Sequence, residues 1–135
     1  MARIFIADDH KSMRSTIRRL LEANGGFEVC GEAADGREAV AGAQELWPDL
    51  IILDLVMPGM DGLSAAIEIR KIAPQIPILI NTLQDSPQLL AEAMRAGVQA
   101  VVSKAAIAES LVKAVETLLK KSKPEPSGLG RKDAQ

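Results

Sequence analysis

The chain has one cysteine, no tyrosine, two phenylalanines and one tryptophan among 135 residues. A lone Cys30 excludes an internal disulfide framework and a zinc site built on cysteine pairs. With aromatics at 2%, there are too few rings to sandwich a flavin, a base or a sugar. Neither sign of charge dominates: 16 Lys and Arg oppose 18 Asp and Glu, a net of −2, which provides no basic footprint for wrapping nucleic acid. No apolar run reaches the roughly 20 residues of a membrane helix. Because a strand-like run begins at Arg3, a signal peptide has no room, and a cytoplasmic location is expected. The length suits one domain with a sizeable core.

What the sequence does contain is a cycle, repeated five times, of a short apolar run followed by a longer amphipathic one. The strand-like runs are 3–7, 28–33, 50–54, 77–81 and 99–103. Residues 3–7 and 50–53 are nearly all apolar, as strands covered on both faces are, whereas 28–33 and 99–103 are mixed and suit sheet edges. The helical runs carry their own punctuation. Met13, Ile17, Leu20 and Leu21 share a face, with Arg14, Arg18 and Arg19 elsewhere. Asp35 with Glu38 reads as a capping box for a helix ending near Trp47-Pro48, where Trp47 is expected to pack. Ser86-Pro87 opens a helix bearing Leu90, Ala93 and Met94 and stopping at Gly97. The last helix aligns Ala108, Leu111, Val112, Val115, Leu118 and Leu119, with Glu109–Lys113 and Glu116–Lys120 paired outside. Five βα units make an α/β domain with a parallel sheet. Residues 122–135, rich in Lys, Pro, Gly and Ser, read as a flexible linker or tail after a domain spanning 1–121.

In such a sheet, ligands gather beyond the carboxyl ends of the strands. Asp8 and Asp9 follow the first strand, Asp54 ends the third, Asn81-Thr82 closes the fourth and Ser103-Lys104 the fifth. Carboxylates brought this close disfavour each other's ionisation unless cations balance them, and one lysine is insufficient. Hard oxygen ligands, few in number, suit Mg²⁺. A carboxylate beside Mg²⁺, a lysine and a threonine hydroxyl has the equipment of phosphoryl transfer, with Asp as the nucleophile.

The pieces Ile-Phe-Ile-Ala-Asp-Asp-His, Asp-Leu-Val-Met-Pro-Gly-Met-Asp-Gly, Ile-Asn-Thr and Val-Val-Ser-Lys, in that order, resemble the receiver domains of two-component response regulators. The resemblance covers about residues 3–121. It implies a flavodoxin-like (βα)5 sandwich with strand order 2-1-3-4-5. It also implies that Asp54 is the phosphoacceptor, and that Asp8, Asp9, Asp54 and the backbone carbonyl of Val56 hold Mg²⁺. Lys104 and Thr82 would contact phosphoryl oxygens, with Thr82 moving inward on phosphorylation. Met57-Pro58-Gly59 would be the shaped loop after the acceptor. The implied function is a phosphorylation-activated switch: a sensor histidine kinase phosphorylates Asp54, the helix-four/strand-five face changes, and homodimerisation can follow. The chain would have no enzymatic activity beyond its own phosphorylation and dephosphorylation. Ala-Asp-Asp-His resembles the LuxR/NarL-type subgroup, whose receiver precedes a helix-turn-helix effector. Residues 122–135 are too few for that effector, so control of transcription is expected only through a missing domain.

Plainer roles stand beside these. Asp8 and Asp9 are caps for a helix starting near Ser12 if they are not ligands, and Asp61-Gly62 is the first turn of helix three. His10 reads as a solvated neighbour, Cys30 as a small apolar filler, and the three arginines as a solvated face or a kinase-docking surface. Three positions depart from the family pattern. Val101 stands where an inward-turning ring is common, Leu83 where a small residue leaves access to the acceptor, and Ala105 where a cis proline is frequent. An aspartyl phosphatase lacks support because the second carboxylate of Asp-x-Asp is Val56, and a flavin carrier lacks rings. An unphosphorylated interaction module leaves the acidic pocket unexplained.

Overall fold

The apolar runs pair in parallel as β1 (Ala2–Ala7), β2 (Phe27–Ala33), β3 (Leu50–Asp54), β4 (Ile78–Thr82) and β5 (Ala100–Ser103). The computed structural model describes residues 1–84 and 86–122. Strand order is β2-β1-β3-β4-β5, the flavodoxin-like order, and the two mixed runs are the two edges. Each strand leads into a helix: α1 (Lys11–Ala23), α2 (Gly36–Leu46), α3 (Gly62–Ile72), α4 (Pro87–Arg95) and α5 (Ile107–Ser122). Every residue of β3 and β4 is buried, as a parallel sheet with helices on both faces requires. The tail expected over 122–135 lies outside the described residues from 123 onward, and Ser122 is the last residue of α5.

The two-residue period of the strands splits the core. Ile4, Ile6, Leu50, Ile52, Leu79 and Val102 face Ile17 and Leu21 of α1 and Leu111 and Val115 of α5. Phe5, Ala7, Ile51, Leu53, Ile78 and Ile80 face α2, α3 and α4. Each fully buried Ile or Leu contributes about 1.5–3 kcal/mol through burial, so truncating Ile52 to Ala costs about 2–5 kcal/mol.

Local signals set the element ends. Asp35 accepts from the Glu38 backbone N–H at 2.8 Å, and Glu38 reaches back to the Ala34 N–H, also at 2.8 Å. Asp61 caps α3 through the Ser64 N–H, and Ser86 caps α4 through that of Leu89. Trp47 precedes proline, which disfavours right-handed helix there, and it takes φ 46° in the left-handed region. The freed carbonyls of Leu46 and Trp47 accept from Arg3 Nη1 at 2.7 and 3.2 Å. The Trp47 ring does not pack as expected: the residue is 52% exposed, because the left-handed turn carries it off the helix face.

Two helix faces also differ from expectation. In α4, Leu89 and Ala93 are buried, while Leu90 and Met94 are exposed; of two adjacent leucines, the crossing of helix over sheet selects the first. In α5, Ala108 is exposed and Ile107 packs on the core. Glu116 is the acceptor for Asn24 Nδ2 at 3.4 Å. Neither Glu–Lys pair forms among the described residues.

Candidate functional site

The same period that buries Ile6, Ile52 and Leu79 puts Asp8, Asp54 and Asn81 one step further along that face, at the carboxyl edge. The ladder aligns Asp54 with Asn81, Asn81 with Val102 and Thr82 with Ser103. Asp8, Asp54, Asn81 and Thr82 are the buried polar residues of the described chain, all at most 5% exposed. From β5, Lys104 opens a 3-10 turn capped by Ser103 and extends back across the mouth. Its ammonium stands 3.1 Å from Asp8 Oδ2 and 3.2 Å from Asp54 Oδ1. Three residues separated widely in sequence therefore share one ion-paired cluster.

One ammonium does not balance this site. Burial, then the neighbouring Asp8, raises the Asp54 carboxyl above the usual carboxylate range, against Lys104 and the Val56 backbone. Burial would lower the Lys104 ammonium, but its bonds to Asp8 and Asp54 outweigh that and raise it. Asp8 Oδ2 is buried with no hydrogen bond beyond the close approach of Lys104. Asp8 Oδ1 accepts from the His10 N–H at 2.8 Å, and Arg14 Nη1 donates to the Asp8 carbonyl at 2.6 Å. These bonds fix the turn that presents Asp9. Asp8 and Asp9 do not cap α1: its N-cap is His10, with no side-chain bond, and the helix begins at Lys11.

One oxygen each from Asp8, Asp9 and Asp54, with a nitrogen of His10, lies within 4.8 Å of the others. The His10 ring is 3.1 Å from Asp9 Oδ1 and 3.4 Å from Asp8 Oδ1, so it is a neighbour of the cluster, with its side chain 69% exposed. The donor set is mostly hard oxygen, and the three carboxylates of the cluster share a single ammonium, which leaves net negative charge. Both suit a small divalent cation.

The loop after Asp54 is held by close backbone approach. Gly62 N–H donates to the Leu55 carbonyl at 2.8 Å, and a Cβ on Gly62 would stand 2.2 Å from the Asp54 carbonyl oxygen. Gly59 takes φ +73°, which glycine adopts freely. Val56, whose carbonyl was expected at the metal, lies in this loop and is 61% exposed.

Among the described residues, no hydrogen bond joins Thr82 to Asp54 or Lys104. Thr82 is buried, sits one register position beyond Asp54, and accepts from the Gln84 N–H at 3.1 Å. Leu83 is 76% exposed. Val101 packs partly on the α2–α4 side of the core. Ala105 follows a trans peptide bond, as its sequence implies. Cys30 is partly buried on that core, and burial pushes its thiol up. The arginines are less free than a solvated face: Arg14 and Arg18 both bind Glu32 on β2. Asn81 received no role from the sequence; the signal was a carboxamide ending the apolar run Ile-Leu-Ile.

Residues 4–116 match the family described as the response regulator receiver domain. The chain belongs to that family. The response regulator protein VraR of Staphylococcus aureus is 39% identical to this receiver over 113 residues, covering 84% of the chain and 54% of the relative. The chain thus spans about half the length of the curated relatives it matches. A LuxR-family response regulator from Aurantimonas sp. superposes with TM-score 0.87 at 36% identity, covering 90% of this chain and 86% of the other. The receiver domain of a NarL regulator from Mycobacterium tuberculosis gives 0.84 at 32%, covering 88% and 96%. These relatives agree with the LuxR/NarL subgroup. The chain is a receiver domain of the two-component response-regulator type. Among the described residues, no helix is long and apolar enough to cross a membrane.

Proposed function

We propose that Asp54 is the phosphoacceptor and that Lys104, Asp8 and Asp9 are its immediate machinery. The observation that carries this reading is the shared ammonium: Lys104 bridges Asp8 and Asp54 at the mouth of the sheet, with Asp9 beside them. The nucleophile is the ionised carboxylate of Asp54. Its oxygen bonds to phosphorus as the donor's N–P or O–P bond breaks, and the leaving group departs with that electron pair. The donor is a phosphohistidine of a sensor kinase or a small acyl phosphate.

Asp8, Asp9, Asp54 and the Val56 carbonyl are the groups that would hold Mg²⁺, which when bound offsets the negative charge of carboxylates and phosphoryl oxygens. Lys104 holds one phosphoryl oxygen. Thr82 exchanges its bond to the Gln84 N–H for a second, drawing the loop before α4 inward. That motion alters the α4–β5 face, which carries output through homodimerisation. Leu83 slows the entry of water and donors without closing the acceptor. In this reading the chain is not a turnover enzyme, acts in the cytoplasm, and regulates transcription through a DNA-binding domain outside this sequence.

The test is intact mass after incubation with acetyl phosphate and Mg²⁺. The native chain should gain one phosphoryl group, mapped to Asp54; Asp54→Asn should gain none. No gain by the native chain, or gain elsewhere, overturns the proposal.

A further inference from the structure

Among the described residues, two buried side-chain polar atoms lack any partner, Asn81 Nδ2 and Asn81 Oδ1, and Asp8 Oδ2 meets only the Lys104 ammonium at 3.1 Å. All belong to the same row at the carboxyl edge. Asn81 is 1% exposed, stands in register with Asp54 on the neighbouring strand, and by strand alternation projects to the face that carries Asp54. Registered parallel strands are about 4.8 Å apart, so the carboxamide flanks the acceptor on the side from which Lys104 approaches. An unmatched buried amide is unfavourable, and an aliphatic side chain there would continue the apolar run. A core that otherwise satisfies its buried side chains has kept both ends of this one unmatched.

The charge of the site indicates what the amide matches. A carboxamide has two N–H donors and an accepting oxygen. Lys104 already divides its ammonium between two carboxylates. Phosphorylating Asp54 adds anionic oxygens to a mouth short of donors, whereas the Asn81 N–H groups are desolvated and fixed on the strand. We propose that Asn81 is a further phosphoryl-binding residue of the acceptor site, whose Nδ2–H donates to an oxygen of the acyl phosphate on Asp54. This rests on Asp54 being the acceptor. Being unmatched in one state and bonded in the other, the amide biases the receiver toward the phosphorylated form without touching the phosphodonor.

Beryllofluoride with Mg²⁺, an acyl-phosphate mimic, is the probe. Asn81→Leu should fold with a melting temperature equal to or above the native one, yet bind beryllofluoride about tenfold more weakly, a change of about 1.4 kcal/mol. Asn81→Thr, which returns a donor, should recover part of that loss. In the native chain, the Asn81 side-chain N–H₂ resonances should shift with beryllofluoride and Mg²⁺ together and stay near their place with Mg²⁺ alone. Native affinity in a stable Asn81→Leu overturns the inference, as do unmoved amide resonances in the native complex. Should Asn81→Leu not fold, the resonances and the threonine variant decide. Absence of beryllofluoride binding by the native chain sinks the phosphoacceptor reading itself, a different result from equal binding by native and variant.

Discussion

Glu32 and Asp54 are carboxylates of the same sheet, both partly or wholly withdrawn from water, and the protein moves them in opposite directions. At Glu32, burial opposes ionisation, but hydrogen bonds from Arg18 and Arg14 outweigh it and lower the carboxyl below its ordinary value. At Asp54, burial is reinforced by Asp8, and a single shared lysine does not make up the difference. Two guanidinium groups on one carboxylate make a tie between α1 and β2. One ammonium across two carboxylates leaves a deficit. The same chemistry is a tie where charges balance and a candidate site where they do not.

Removing the shared cation tests the deficit hardest. Lys104→Met keeps the apolar stem and leaves Asp8 and Asp54 buried and uncompensated, which should cost about 3–5 kcal/mol in metal-free buffer at pH 7. Chemical denaturation reads this loss; it should shrink on acidification, as the carboxylates protonate, and a loss below about 1 kcal/mol would contradict the charge argument.

The next effect has the opposite sign. Because the folded-state affinity of Asp54 for its proton is raised, protonated Asp54 stabilises the fold below the ordinary value of 3.8, and that stability is lost as pH rises through the folded value. Asp54→Asn should therefore melt higher than the native chain at pH 7, by about 2–6 °C, with the gap narrowing as pH falls through the folded value and closed below the ordinary 3.8. A variant that melts lower at pH 7 would break the comparison with Glu32.

Glu32→Gln should have the smallest effect, under about 1 kcal/mol, because its partners are partly solvated. Here the folded carboxyl is lowered, so the native contribution is present above the ordinary value of 4.5 and lost as pH falls through the folded one. Stability of native and variant should converge in acid and separate toward neutrality, readable from melting curves across that range.

Much of this was legible in the residues. Period two and period 3.6 separated strands from helices, and Asp35, Asp61 and Ser86 marked helix starts that the hydrogen bonds reproduce. Apolar-against-mixed composition separated central strands from edges. Strand order came from the family resemblance, since periodicity does not say which strands are neighbours. Tertiary geometry decided the rest. Nothing local says that Arg14 and Arg18 meet Glu32 across a strand, or that Leu89 rather than Leu90 turns inward. Asn81 was visible as a polar end to an apolar run, but its lack of partners exists only once β3, β4 and β5 lie side by side.

The most direct test of the charge deficit is the melting temperature of the native chain against Mg²⁺ concentration at pH 7, beside a chain carrying both Asp9→Asn and Asp54→Asn. The account predicts that Mg²⁺ raises the native midpoint to saturation and leaves that of the double variant unmoved. A native midpoint indifferent to Mg²⁺, or equal rises in both chains, would contradict it.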